Sequence, residues 1–217
     1  MELSILISYS GDRIEQLHRS LHSMYHQQDN FDGVELLLLN DGARKEVLLP
    51  LLERYTDKFR IRYFEVPGIP KGYANSAARR NFLARQAQGT YLLITDPEIV
   101  HVSATIRQVL HAFPRHGDSI WYCGPVYATS SVVTKTGRLA YWDRKREKNL
   151  SGLWGPAPIT GRPLDTAWYV NHQSYWPVND PHFTEFFWCT AVAKSLYASV
   201  EGCNESLMVY GYEDVEL

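Results

Sequence analysis

Nowhere in the 217 residues does an apolar run approach the ~20 residues that cross a bilayer. No cationic surplus exists either. Lys and Arg number 22 against 24 Asp and Glu, a formal net charge of −2, so neither nucleic acid nor an anionic membrane is expected as the main partner. Cysteine is scarce. Cys123, Cys189 and Cys203 have no metal-ligand spacing and leave one over from any pairing, which excludes a disulfide framework and reads as buried, reduced thiols. Met1-Glu2-Leu3-Ser4 lacks the basic segment and cleavage site of an export signal. Together these absences predict a cytoplasmic globular protein with no integral membrane segment.

What is present fits one substantial domain: 45% of residues are apolar and 21% charged. Leu3-Ser4-Ile5-Leu6-Ile7-Ser8-Tyr9 reads as a buried strand, and residues 13–27 carry helical spacing through Ile14, Leu17, Leu21 and Met24. A second strand, Val34-Glu35-Leu36-Leu37-Leu38-Leu39, ends on Asn40-Asp41-Gly42. Residues 43–55 read as a helix and residues 60–65 as a third strand. A loop of breakers follows, Pro67-Gly68-Ile69-Pro70-Lys71-Gly72. The next helix is predicted from about 73 to 88 with Gly89 as its cap. Tyr91-Leu92-Leu93-Ile94-Thr95 then makes a fourth strand that stops on Asp96-Pro97-Glu98.

Four strands with a helix between each pair predict a parallel sheet with right-handed crossovers and helices on both faces. Such sheets bind ligands at the carboxyl ends of their strands. Ser8 and Tyr9, Asp41, and Asp96 would converge on that edge, where Asp96 and Glu98 could share a divalent cation with a phosphate. Taken singly, Asp41-Gly42 reads equally as a turn, and Asp96-Pro97-Glu98 as an acidic turn capping a helix. His18, His22 and His26 lie four apart on the first helix, yet without a His-Glu-x-x-His arrangement they read as a solvated flank.

Beyond Glu98 the rhythm changes. Residues 105–113 look helical, and 120–123 and 126–134 look like strands. From 142 to 180 there is little periodicity, with Trp142, Trp154, Trp168 and Trp176 among many Pro, Gly and Asn residues. A functional loop is one reading of so long an irregular stretch. Its tryptophans would either stack on sugar faces or pack the loop onto the sheet. Residues 186–189 resume strand character, 191–200 look helical and 202–205 form a turn. The last residues are Gly211-Tyr212-Glu213-Asp214-Val215-Glu216-Leu217.

With that ending, the chain resembles the family 2 glycosyltransferases of the GT-A fold along nearly its whole length. Ile5-Leu6-Ile7-Ser8-Tyr9 looks like the family's first strand, whose end touches the nucleotide base. Asp41 takes the place of the acidic residue that holds the base. Arg80-Asn81, with Ala87 and Gly89, matches the family's Ala-Arg-Asn helix followed by Ala-x-Gly, with Arg79 in place of the alanine. Thr95-Asp96-Pro97-Glu98 sits where the family has its metal-binding Asp-x-Asp, and Glu205 with Gly211 to Leu217 looks like the segment of the catalytic acid pair. Glu98 stands where aspartate is usual, and Asn40 replaces a common acidic neighbour of Asp41. Relatives often continue past this point, so the resemblance implies a chain truncated at its C-terminus.

The resemblance implies a GT-A (Rossmann-like) α/β domain over 1–217, with a mixed, mainly parallel sheet flanked by helices. Residues 1–98 would be its nucleotide-binding half and 99–217 its acceptor side. It implies transfer of a sugar from a nucleotide-diphosphate donor, UDP favoured, to a hydroxyl acceptor, with inversion and with Mn2+ or Mg2+ as cofactor. Asp96 and Glu98 would hold the metal. Ser8, Tyr9, Asp41, Lys71, Arg80 and Asp96 would serve the nucleotide. Asp214 would be the general base, with Glu213 the second choice, since an attacking hydroxyl must lose its proton. Without the upstream strand ends, Glu213-Asp214 reads as an acidic first helical turn. Two rivals stay open. A nucleotidyltransferase usually opens with a glycine-rich basic loop, of which Ser8-Tyr9-Ser10-Gly11-Asp12-Arg13 is a poor version. A non-catalytic sugar-nucleotide or glycan module would bind without turnover.

Overall fold

The computed structural model describes residues 1–10, 14–27, 31–65, 75–101, 104–118, 121–123, 126–133, 139–143, 148–149, 167–171 and 189–206. The first hundred residues alternate as expected. Strands β1 (Leu3–Ser10), β2 (Val34–Asp41), β3 (Arg60–Glu65) and β4 (Tyr91–Thr95) are separated by helices α1 (Ile14–Tyr25), α2 (Lys45–Glu53) and α3 (Ser76–Gln86). The four strands are parallel, β1 lying between β2 and β4 with β3 outside β2. Two later strands complete the sheet: β11 (Cys189–Ala193) runs antiparallel to β4, and β6 (Trp121–Cys123) antiparallel to β11. The order is β3-β2-β1-β4-β11-β6.

Strand periodicity sorts the side chains into two cores. Leu3, Ile5, Ile7 and Tyr9 of β1, with Leu36 and Leu38 of β2, face α1, α2 and α4 (Thr105–His116). Leu6, Leu37, Leu39, Leu92 and Ile94 face α3 and α5 (Lys194–Ser199). Each leucine so buried stabilises the fold by about 1.5–3 kcal/mol relative to exposure. This alternation corrects one expectation. Tyr9 was placed beside Ser8 at the nucleotide, but adjacent strand residues face opposite sides, and the Tyr9 side chain is 1% exposed within the α1 core.

Helix α3 is anchored at both ends. Its N-cap is Asn75, whose Oδ1 accepts from the Ala78 N–H at 2.8 Å. At the other end a buried acid, Glu35, gathers the chain. Its Oε1 accepts from Ser4 Oγ at 2.6 Å and from the Gln88 N–H at 2.5 Å, and Arg62 Nη1 reaches its Oε2 at 3.2 Å. Arg62 also donates to Gln86 O at 2.6 Å, and the Gly89 N–H to Ser4 Oγ at 2.8 Å. Burial alone would raise the Glu35 pKa, but these hydrogen bonds outweigh it and hold the carboxyl below its ordinary range. Gly89 is not the helix cap it was expected to be, since Ala87 occupies that position. A Cβ on Gly89 would lie 2.6 Å from Ser4 N and 2.7 Å from Leu3 C, so the glycine lets the chain pass against β1.

The later elements were harder to foresee. The helix expected from 191 begins at Lys194, because Ala191, Val192 and Ala193 pair with β4 and tertiary packing overrides alanine's helix preference. A second sheet has the order β5-β10-β7-β8-β9. It comprises β5 (Ile99–His101), β7 (Val126–Val133), β8 (Leu139–Asp143), β9 (Lys148–Asn149) and β10 (Ala167–Asn171). Three of these strands fall in or against the stretch expected to be irregular. Trp154 and Trp176 lie outside the described residues. No described helix is long and apolar enough to cross a membrane.

Candidate active site

The parallel strands end at one edge of the sheet, and their alternation decides which side chains meet there. Ser8, Asp41 and Asp96 continue the rows of Leu6, Leu39 and Ile94, so all three belong to the α3 side of the sheet. The turn after Asp41 is held by its neighbour. Asn40 Nδ2 donates to Ala43 O and to Tyr63 Oη, both at 2.9 Å, while its Oδ1 accepts from the Ala43 N–H at 2.9 Å. An amide with both donor and acceptor serves there where a second carboxylate would only accept.

One turn of α3 links the parts of the edge. Arg79 Nη2 forms an ion pair with Asp41 Oδ2, with the two side chains 10% and 15% exposed. Arg80 Nη2 stands 4.0 Å from Asp96 Oδ1, the arginine 8% exposed and the aspartate 25%. Asn81, next in line, turns to the chain after α5. Its Nδ2 donates to Cys203 O at 2.7 Å and to Glu205 Oε1 at 2.9 Å. Its Oδ1 accepts from Tyr197 Oη at 2.7 Å and from the Cys203 N–H at 2.9 Å. Glu205 is also paired with Arg85 Nη1 at 3.4 Å. The side chain of Asn75, at the start of the helix, donates to Glu205 O at 3.1 Å.

Asp96, Pro97 and Glu98 make the turn between β4 and β5, closed by the Ile99 N–H donating to Asp96 O at 3.2 Å. Beneath it lies His101, 1% exposed, with Nε2 3.4 Å from Thr95 Oγ1 and its own N–H donating to Ser23 Oγ at 2.9 Å. Burial pushes the His101 pKa down to about 3, so the imidazole is neutral. Among the described residues no three His, Cys, Asp or Glu side chains are grouped to hold a metal ion. The donor set of the turn nevertheless suits a hard divalent cation: Asp96 and Glu98 supply carboxylate oxygens from one short turn, part of a shell that phosphate and water complete.

Asp41, Arg80, Asp96 and Ser8 thus stand together on one side of the edge, whereas the Tyr9 side chain leaves it. Lys71, Glu213 and Asp214 lie outside the described residues. Arg79 and Asn81 were read only as parts of a motif. The signal that marks them is compositional: Arg79, Arg80 and Asn81 are three consecutive buried polar residues inside a helix. His18 and His22 lie on α1 and His26 just past its end, and among the described residues they form no group of three that could hold a metal ion. His22 and His26 meet edge to face with ring centroids 4.1 Å apart, and burial together with its histidine neighbours lowers the His22 pKa.

A parallel sheet ending on two acids, with an antiparallel strand inserted beside β4, is the GT-A arrangement of nucleotide-sugar transferases. The chain aligns with TarS of S. aureus at a TM-score of 0.58 and 14% identity, over 99% of this chain and 32% of that one. GalNAc-T7, solved with UDP, GalNAc and Mn2+, aligns at 0.57 and 18% identity over 99% of this chain and 39% of that one. TarS 1–349, solved with UDP, aligns at 0.55 and 12% identity, and the chain spans 53% of its length. No curated protein matches at a comparable level of significance. The model of glycosyl transferase family 2 matches residues 4–172. The chain belongs to that family.

Proposed function

We propose that the protein transfers a sugar from a nucleotide-diphosphate donor, a UDP-sugar for preference, to a hydroxyl acceptor, with inversion and with a divalent cation. The observation that carries this reading is the single turn of α3 whose arginines reach Asp41 and Asp96 at the ligand edge of a family 2 domain. Asp41 accepts a hydrogen bond from the base, and Ser8 lines the same side. Arg80 and Lys71 place positive charge near the diphosphate. Asp96 and Glu98 would hold Mn2+ or Mg2+, which would supply positive charge against the departing diphosphate. UDP in two of the related structures and Mn2+ in one support the choice of base and metal.

The acceptor oxygen attacks the anomeric carbon as the bond to the donor phosphate breaks, and its proton passes to Asp214, with Glu213 beside it in the sequence. Asp214→Asn keeps the shape and removes the basic oxygen. In the intact protein, assayed with donor and acceptor, it should lower turnover by about 10²–10⁴-fold with donor affinity unchanged. Full activity in this variant removes Asp214 from the mechanism. Affinity for UDP-sugar with no turnover in the unaltered protein marks a binding module instead.

A further inference from the structure

The ion pair of Arg79 and Asp41 stands at the ligand edge with part of each side chain open to solvent, 10% of the arginine and 15% of the aspartate. Local structure holds both groups in place. Asp41 is the last residue of β2, and Gly42, at φ +95°, turns the chain away directly after it. The Asn40 amide ties that turn to itself and to Tyr63 Oη, which in turn donates to Glu65 Oε1 at 2.5 Å. Arg79 closes the first turn of α3, its N–H donating to Asn75 O at 3.3 Å.

Stability alone does not account for a charged pair there. Arg79 is largely buried in a helix whose Ala77, Leu83 and Ala84 pack onto the sheet. Apolar side chains of like volume are often as stable as a buried ion pair or more so, because both charges must first leave water. What the pair adds is a pattern. A carboxylate accepts at about four lone-pair positions and a guanidinium carries five N–H groups in a rigid plane, so one contact at Oδ2 exhausts neither. Side by side they offer an acceptor and a donor to whatever meets the edge.

We infer that Arg79 is a specificity residue of the nucleotide site: it reads the base as one unit with Asp41, an inference that rests on the reading of Asp41 as the residue that meets the base. Asp41 accepts from the ring N3–H of uracil, and Arg79 donates to the O4 carbonyl beside it. O4 lies on the open side of the ring, whereas O2 lies next to the ribose. Cytosine reverses both positions on a ring of the same size, with a lone pair at N3 and an amino group at C4. It would set lone pair against carboxylate and N–H against guanidinium, two repulsive contacts in place of two attractive ones.

UDP and CDP differ only at those two positions, so calorimetric titration of each into the intact protein, with Mn2+, tests the pair. The unaltered protein should bind UDP more tightly by about 100-fold, the upper range for a paired donor and acceptor reading a base edge. Arg79→Ala should weaken UDP by about 10–100-fold, the range of one charge-assisted hydrogen bond, and leave CDP unchanged or tighter. Arg79→Lys keeps the charge beside Asp41 and gives up the planar fork. It should narrow the preference by about tenfold, and it serves alone if the alanine variant does not fold. 4-Thio-UDP, whose sulfur accepts more weakly than oxygen, needs no variant: it should bind the unaltered protein less tightly than UDP. UDP and CDP weakened in step by Arg79→Ala would show that the arginine only props Asp41 or the fold, and would overturn the inference. Tighter UDP in that variant would show the arginine competing with the base and overturn it too, as would equal binding of UDP and CDP by the unaltered protein. If Asp41→Ala leaves UDP affinity intact, the reading of Asp41 fails and this inference with it. If Asp41→Ala weakens UDP while both Arg79 variants keep the full preference, this inference fails alone.

Discussion

Asp41 and Asp96 close two strands on the same side of one sheet, and consecutive arginines of one helical turn reach for them, yet the two pairs are not alike. Arg79 is in direct contact with Asp41, both largely buried, whereas Arg80 stands 4.0 Å from an aspartate that is 25% exposed. Their supports differ as well. Behind Asp41, the Asn40 amide pins the turn with three hydrogen bonds. Behind Asp96 lies the neutral imidazole of His101. The first acid is therefore charge-compensated and fixed before any ligand arrives, which suits a group that reads a base. The second has a looser partner and more solvent, which suits a group that turns toward a cation. Pre-organisation lowers the ordering that binding must impose, so the difference bears on function as well as on packing.

Removing one arginine at a time would break this comparison. Arg79→Ala strands a carboxylate that is 15% exposed, and stability should fall by about 2–3 kcal/mol, less than for a fully buried pair because solvent still reaches it. Arg80→Ala should cost about 1 kcal/mol, since a contact at 4.0 Å beside a part-exposed acid contributes less. Urea denaturation of both variants gives the two values, and equal losses would erase the distinction.

A smaller effect separates the supports by pH. His101 is depressed to about 3 from an ordinary 6.5, so the unfolded chain binds a proton there that the folded chain refuses. This contribution is fully present above pH 6.5 and is lost as pH falls toward 3. Between pH 6.5 and 5 it should remove about 2 kcal/mol. Glu35 acts in a lower window: held below its ordinary 4.5, it supports the fold above that pH and loses its contribution only on further acidification. His101→Gln should make the stability profile less steep between pH 6.5 and 5, leaving the contribution of His22, and leave the lower limb. An unaltered profile would show that the imidazole is protonated in the fold.

The contrast between halves of the chain explains what could be read from the residues. Strands β1, β2 and β4 are largely apolar runs bounded by glycine or acids, β3 is a half-buried strand of alternating character, and α1 shows its buried stripe at Leu17, Leu21 and Met24, so periodicity finds them. The sheet order follows from their alternation with helices. β5 is three residues directly after a turn, and β8 to β10 break up a stretch rich in Pro and Gly, too short for any period to register. Of the candidate site, Asp41, Arg80 and Asp96 were legible as strand ends and motif. Tyr9 was misplaced although the period of two already sets it opposite Ser8. Asn81 was hidden because its partners lie more than 110 residues away, a pairing only the folded chain supplies.

The central claim is that Asp96 works through a cation while Asp41 works on the base directly. Calorimetric titration of UDP into the intact protein, in Mn2+ and in excess chelator, tests it in one series. The unaltered protein should bind well in Mn2+ and poorly in chelator. Asp41→Ala should weaken binding by about 1.5–3 kcal/mol in both conditions and keep the response to metal. Asp96→Asn should bind at the chelator level whether Mn2+ is present or not. Equally tight binding by the unaltered protein in chelator, or a full response to Mn2+ in Asp96→Asn, would contradict the account.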